Sequence, residues 1–352
     1  MGRRVTQAVL ILLLGVAPLV LLEAGLRVAG WPTGRVRTFG KLLNFEAESW
    51  RSAVGMFHPS VRSTVMWPVE LSYQVQINSL GLRGPEIERT PPPGRTRVLA
   101  LGDSMTFGFY LEEDETWPRQ LEAELRRSGA DVEVVNAGVG GWSIDSETQF
   151  ALERGLALEP DHVVVGFCTN DPSDLIGQPG LYESVKHSLG SARGRFSALV
   201  YSTAAYELYL TAQVRFKQLR ERLDPREPHA LRELSPDEDA RAWQTYAGWI
   251  DRLQAALHER GSSLTLVYLP NPEDLDRDGP MPMEEQLRAL AEVRGIAFVS
   301  PLAAFRADPV PALHHMPIDP HLGVEGARRV ARAVAASLAP RLAQRSSGSA
   351  SR

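Results

Sequence analysis

The chain opens on one long apolar stretch and later settles into an alternation of short apolar runs with longer amphipathic ones. Residues 5–22 are nearly all apolar behind the basic Gly2-Arg3-Arg4, with only Thr6 and Gln7 polar. Eighteen helical residues rise about 27 Å, close to the hydrocarbon thickness of a bilayer. This stretch therefore reads as a signal sequence or a membrane anchor. The following Glu23-Ala24-Gly25-Leu26-Arg27 offers no small-x-small cleavage site, which favours an uncleaved, single-pass anchor in the cell membrane. Arg3 and Arg4 would stay inside and send the rest of the chain outside the cytoplasm.

Residues 71–77 alternate apolar and polar, the pattern of a half-exposed strand. Pro91-Pro92-Pro93-Gly94 reads as a stiff linker. From Arg97 onward, apolar runs predict strands at 98–101, 132–136, 162–167, 264–269 and 297–299. Helical spacing predicts helices at 117–127, 145–154, 236–260, 283–294 and 324–338. Ser235-Pro236-Asp237-Glu238 is a helix start, with serine as cap, proline at the first position and acids in the first turn. Strand–helix alternation of this kind implies a parallel sheet with helices on both faces.

The expected organisation is an anchor at 1–29, a linker with a small β-rich segment at 30–94, an α/β domain at 95–340 and a disordered tail at 341–352. Residues 172–234 interrupt the alternation and are too long for a plain connection. They form either a packing insertion or a cap over the site, with a helix expected near 201–219.

Composition narrows the class without naming a function. Of 352 residues, 43% are hydrophobic and 23% charged, the balance of an ordinary globular protein. The net charge is −5 and no basic stripe with interleaved aromatics occurs, so nothing points to nucleic acid. The single cysteine, Cys168, excludes an internal disulfide and ends an apolar run, as a small buried hydrophobe does.

Four short blocks carry candidate chemistry. Gly102-Asp103-Ser104-Met105-Thr106-Phe107-Gly108 follows the first domain strand and exposes a serine at its carboxyl end, where ligands of open α/β sheets bind. Asn136-Ala137-Gly138-Val139-Gly140-Gly141 follows the second strand, and Thr169-Asn170-Asp171 the third. Asp319-Pro320-His321 precedes the last helix. A serine hydroxyl needs a base to take its proton, histidine suits that task near neutrality, and an acid must orient the imidazole.

Taken together and in this order, the blocks resemble the SGNH hydrolases, also called the GDSL esterase/lipase family, and in particular their membrane-attached bacterial members. The resemblance spans residues 97–338. It implies Ser104 as nucleophile, His321 as base and Asp319 as its acid. It also implies an oxyanion hole from the Ser104 N–H, the Gly141 N–H and the Asn170 amide. Asp103 and Asp171 would bond neighbouring backbone and hold the loops. Two departures stand out: Cys168 replaces the glycine that usually precedes the block III asparagine, and the last block reads Asp-x-His rather than Asp-x-x-His. The segment Asn78-Ser79-Leu80-Gly81-Leu82-Arg83-Gly84 resembles one that precedes the serine block in anchored members.

The expected fold is thus a flavodoxin-like three-layer α/β sandwich with five parallel strands ordered 2-1-3-4-5. The expected activity is hydrolysis of ester-linked acyl groups through an acyl-serine, with an acetylated glycan or a small ester as substrate and no cofactor. One alternative is an acyltransferase using the same triad on a cell-surface polysaccharide, with Trp142 as a sugar-stacking face. Another is a non-catalytic carbohydrate-binding protein. A third is a metal site built from His314, His315, Asp319 and His321.

Overall fold

The structure, a computed structural model, describes residues 2–30, 56–66, 71–177, 234–316 and 319–349, together with single positions between 180 and 219. A long helix, α1 (Gly2–Val28), comes first, followed by an antiparallel pair, β1 (Val61–Met66) and β2 (Ser72–Ile77). Next come β3 (Thr96–Gly102), a single-turn helix α2 (Ser104–Phe107), α3 (Trp117–Arg127) and β4 (Val132–Asn136). The chain continues through α4 (Ile144–Glu153), β5 (His162–Phe167) and α5 (Asp171–Gly177). After the interruption come α6 (Pro236–Glu259), β6 (Ser263–Tyr268), α7 (Pro272–Leu275), α8 (Pro282–Val293) and β7 (Ala297–Val299). Helices α9 (Leu302–Ala307) and α10 (Val324–Ser349) close the fold.

Strands β3 to β7 form one parallel sheet in the order β4-β3-β5-β6-β7, the order expected from the sequence. The register explains why their runs are continuously apolar. Successive side chains point to opposite faces, and both faces are covered. Leu99, Leu101, Val163, Val165 and Leu266 pack on Phe150 of α4, on Tyr246, Ile250 and Leu253 of α6, and on Leu287 of α8. Their neighbours Val98, Ala100, Val134, Val164 and Val267 pack on Trp117, Leu121 and Leu125 of α3 and on Ala327, Val330, Val334 and Leu338 of α10. The free edge of β4 is covered by side chains of α3: Glu122 accepts the Val134 N–H at 2.9 Å and Arg126 donates to the Val132 carbonyl at 2.8 Å. An edge satisfied in this way offers little to a foreign strand. As expected, α6 begins with Ser235 as cap and a reciprocal bond from Glu238.

The β1–β2 hairpin turns Val65, Tyr73, Val75 and Ile77 into the same apolar cluster as Leu99 and Leu101. Arg83 links it to the large sheet, bridging to Ile77 on one side and Asn136 on the other. Helix α10 runs past residue 338 to Ser349, and the Arg, Leu, Ala and Gln that follow Pro340 are good helix formers. Residues 31–55, 67–70 and most of the 172–234 interruption lie outside the described residues; those described between 204 and 219 are helical.

The expected membrane anchor needs correction. Among the described residues no helix is long and apolar enough to cross a membrane. Helix α1 forms where the apolar stretch predicts it, but Thr6 and Gln7 confine its uninterrupted apolar part to residues 8–22, with Pro18 inside. Those residues rise about 22 Å, short of the roughly 30 Å hydrocarbon core. Glu23 then brings a carboxylate that accepts the Ala204 and Ala205 N–H groups at 3.1 and 2.9 Å. The single-pass anchor is not supported, nor is the cell-membrane location that rested on it.

Arg97, at the start of β3, is fully buried. Its Nη1 donates to the carbonyls of Arg89 and Leu158, its Nη2 to the carbonyl of Glu88 and to Glu133, and its Nε to Glu133 again, at 2.6–3.1 Å. All five guanidinium donors are thereby used. Arg97→Met would leave Glu133 and the Leu158 carbonyl without their buried partner, and would free the carbonyls of Glu88 and Arg89. We expect it to cost about 3–5 kcal/mol, read as a drop in unfolding free energy by urea titration. A loss below about 1 kcal/mol would mean that water replaces the guanidinium at no great cost.

Candidate active site

The site lies at the carboxyl end of the sheet, where β3 runs out at Gly102. Asp103 caps the next turn, its Oδ1 accepting the Met105 N–H at 2.8 Å, so Ser104 becomes the first residue of α2. The turn ends at Gly108, which adopts a left-handed φ of 88°. The loop after β4 is tied to the same strand end, the Val139 N–H donating to the Gly102 carbonyl at 3.0 Å. Within that loop Trp142 N–H donates to the Val139 carbonyl at 3.1 Å, closing a tight turn with Gly141 at φ 82°, a position that favours glycine.

Three side chains from distant parts of the chain are joined in series. Ser104 Oγ lies 2.7 Å from His321 Nε2. His321 Nδ1 is hydrogen-bonded to Asp319 Oδ1, which also accepts the His321 backbone N–H at 3.0 Å. Asp319 Oδ2 accepts the Tyr110 hydroxyl at 3.1 Å. These partners assign the tautomer: Nδ1 carries the proton toward the carboxylate and Nε2 accepts from the serine. Burial works to raise the Asp319 pKa, but the bonds from His321 and Tyr110 outweigh it and hold the carboxyl below its ordinary value. Phe109 stacks on the His321 ring at 5.1 Å between centroids, and Tyr110 stands edge-on to it at 5.5 Å. The loop carrying His321 is seated by backbone bonds, His315 N–H to the His321 carbonyl at 2.9 Å and Gly323 N–H to the Leu313 carbonyl at 2.8 Å.

Asn170 precedes α5 at the end of β5, and its amide donates to Asp174 Oδ2 at 2.7 Å. An amide nitrogen has two N–H bonds, so one remains for another acceptor. Asp171 Oδ2 accepts the Cys168 N–H at 3.2 Å. Cys168 is buried, and burial pushes its thiol well above the ordinary value, so it stays protonated.

Trp142, expected to offer a stacking face, is only 1% exposed and packs between Phe150 and Tyr182, because the turn at Gly141 sends its ring inward. The four residues weighed as metal ligands do not converge. His314 bonds the Pro270 carbonyl through Nε2 at 2.9 Å, and both ring nitrogens of His321 are engaged by Ser104 and Asp319. Among the described residues no group of three or more His, Cys, Asp or Glu side chains is arranged to hold a metal ion.

Sequence reasoning missed two contributors. Tyr110 bonds the acid, and Arg83 bonds the carbonyls of Phe107, Gly108 and Leu111 at 2.6–2.7 Å, gripping the segment that leads away from Ser104. The segment around Arg83 drew attention through resemblance alone, with no role attached. Nothing local in sequence links either residue to its partners.

A model of the GDSL-like lipase/acylhydrolase family matches residues 100–329. The chain belongs to this family. It is a hydrolase of the GDSL/SGNH type. Among solved structures it is similar to a lipolytic protein of the G-D-S-L family from Desulfitobacterium hafniense DCB-2, at 14% identity and a TM-score of 0.39, covering 68% of this chain and 98% of that one. It is also similar to an acetylxylan esterase from Geobacillus stearothermophilus, at 17% identity, TM-score 0.40 and coverage of 68% and 92%. A two-domain esterase active on acetylated mannans matches at 15% identity and TM-score 0.42, covering 71% of this chain and 50% of that one. No match was found among curated proteins.

Other acids lie buried near the serine of this hydrolase. Glu147 of α4 is fully buried, and among the described residues neither carboxyl oxygen has a hydrogen-bond partner. Burial first, then the charges of Asp103 and Asp145, push its pKa well above the ordinary value. Asp171 is raised likewise, by burial and then by Glu147 and Asp103. In the unfolded chain Glu147 titrates at the ordinary carboxylate value. Between that value and the raised one, the folded protein holds a proton that the unfolded chain lacks, so stability falls as pH rises through this window. Glu147→Gln removes that decline. Its melting temperature relative to the parent is expected to climb as the pH rises above the ordinary carboxylate range. A difference that stays constant over that rise would contradict a neutral buried Glu147.

Proposed function

We propose that the protein is a serine esterase that hydrolyses carboxylic esters through an acyl-enzyme on Ser104. The observation that carries this reading is the series Ser104 Oγ, His321, Asp319, joined by hydrogen bonds at one sheet end. His321 Nε2 takes the serine proton as Oγ attacks the ester carbonyl. Asp319 keeps the ring in the required tautomer and stabilises the imidazolium that forms. The negative oxygen of the tetrahedral intermediate is received by the Ser104 N–H, the Gly141 N–H and the remaining N–H of the Asn170 amide. The alcohol departs with the proton held on His321. Water then attacks the acyl-serine with His321 as base, releasing the acid and restoring the serine. Asp103 and Asp171 hold the loops on either side.

Water is the acceptor in this reading. The sugar-stacking face expected for acyl transfer was Trp142, which is buried.

In the full-length chain, a fluorophosphonate is expected to add one phosphonyl group by intact mass, and Ser104→Ala is expected to abolish both labelling and turnover of aryl esters. Labelling that persists in Ser104→Ala would place the nucleophile elsewhere. Asn170→Ala is expected to lower kcat by about 10²–10³ with KM little changed, the loss of one oxyanion donor. An unchanged kcat would reduce Asn170 to a turn residue.

A further inference from the structure

Among the described residues only three other than glycine have a positive φ, and one of them is Tyr110, at 66°. Bulky residues adopt that region only where their surroundings impose it. Here Arg83 imposes it. The arginine is buried, with Nη1 donating to the carbonyls of Phe107 and Gly108 at 2.6 and 2.7 Å and Nη2 to that of Leu111 at 2.6 Å. Its Nε pairs with Glu113 at 3.2 Å, and its guanidinium lies 4.6 Å over the Phe107 ring. These carbonyls flank Phe109 and Tyr110 on both sides, so the chain between them has little freedom.

The consequence is felt at the acid. The Tyr110 ring stands edge-on to Tyr73 at 5.9 Å and to His315 at 5.6 Å, and its hydroxyl reaches Asp319 Oδ2. Asp319 Oδ1 is already committed to two groups of His321. The carboxylate therefore meets a donor at both oxygens and cannot swing about its Cβ–Cγ bond. A phenylalanine would fill the same space and pack on the same rings, but it would leave Oδ2 unheld.

Resting on the proposed hydrolysis, we infer that Tyr110 is a positioning residue: from a turn fixed by Arg83, its hydroxyl holds one oxygen of Asp319 so that the other stays aligned with His321. The titratable groups facing Asp319 are His321 and His315 from its own loop, Tyr110 from the loop after α2, and Tyr73 from β2. Arg83 faces that tyrosine, 5.6 Å from its ring centre. Of these, Tyr110 alone donates to Oδ2 among the described residues. Removing the hydroxyl takes away a bond that stabilises the carboxylate's charge, so the Asp319–His321 pair takes up its proton at a higher pH and activity is lost earlier on acidification.

The test is Tyr110→Phe in the full-length chain, with Arg83→Lys beside it. For Tyr110→Phe, kcat on an aryl acetate is expected to fall about tenfold with KM within about twofold, and the acidic limb of kcat against pH to move up by about one unit. Arg83→Lys keeps the charge but cannot reach three carbonyls at once, and the same limb is expected to move in the same direction. A second readout needs no substrate: the downfield proton resonance of His321 Nδ1–H, identified by its absence in His321→Ala. In Tyr110→Phe it is expected to vanish on acidification at a higher pH than in the parent. A variant that merely melts earlier, with the pH limb and this resonance unmoved, would make Tyr110 a packing residue and overturn the inference. Should the parent cleave no ester, the hydrolytic reading fails by itself, and the resonance still decides what Tyr110 holds.

Discussion

Everything at the site depends on how closely the single turn α2 is pressed against the loop that follows β4. A Cβ on Gly138 would overlap the backbone of Thr106 and Phe107, the middle and end of that turn. Asn136 closes the seat from the strand side. Its amide donates to the Thr106 and Phe107 carbonyls at 3.0 and 3.3 Å, and its carbonyl oxygen accepts the Gly138 N–H at 3.0 Å. Arg83 grips the last carbonyls of the same turn from the opposite side. Four residues of helix have almost no stability of their own, so Ser104 owes its orientation to these three contacts. Rigidity of this kind is what a positioned nucleophile requires, since small misplacements of reacting atoms are costly in rate.

The same seat separates the glycines by task. Gly141 needs its left-handed turn, whereas Gly138 needs the absence of a side chain. The sequence pattern of the block marks both alike. The close approach at Gly138 appears only once α2 is placed against it.

More generally, what was legible in the sequence was whatever is periodic or local. Strands buried on both faces read as continuous apolar runs, so β3, β4, β5, β6 and their order could be anticipated. The Ser235 cap was legible because its partner Glu238 lies three residues on. β1 was not, since Arg62, Ser63 and Thr64 break its apolar signal and its partner strand supplies the burial. Tyr110 was invisible for a different reason: its acceptor lies 209 residues away. Arg83 bonds mainly backbone carbonyls, which leave no trace in residue identity. The opposite error concerns α1 and Trp142, where hydrophobicity was read as a span and as a stacking face. Hydrophobicity reports a preference to leave water and does not say for which surroundings.

The acids near Ser104 show how environment divides one chemical group among several tasks. Asp319, partly open to solvent, receives two groups of His321 and the Tyr110 hydroxyl, and these outweigh its burial. Among the described residues Asp171 receives one backbone N–H at 3.2 Å and Glu147 none, so burial prevails and both are driven toward the neutral form. Groups pushed apart in this way take different parts in acid–base chemistry. In the proposed mechanism an imidazolium forms on His321 and needs a negative partner at hydrogen-bond distance. Ionised carboxylates buried behind the serine would instead oppose the negative charge that develops on the substrate oxygen. Driving Glu147 and Asp171 toward the neutral form lessens that opposition, while the donors on Asp319 keep a charge where the histidine can meet it.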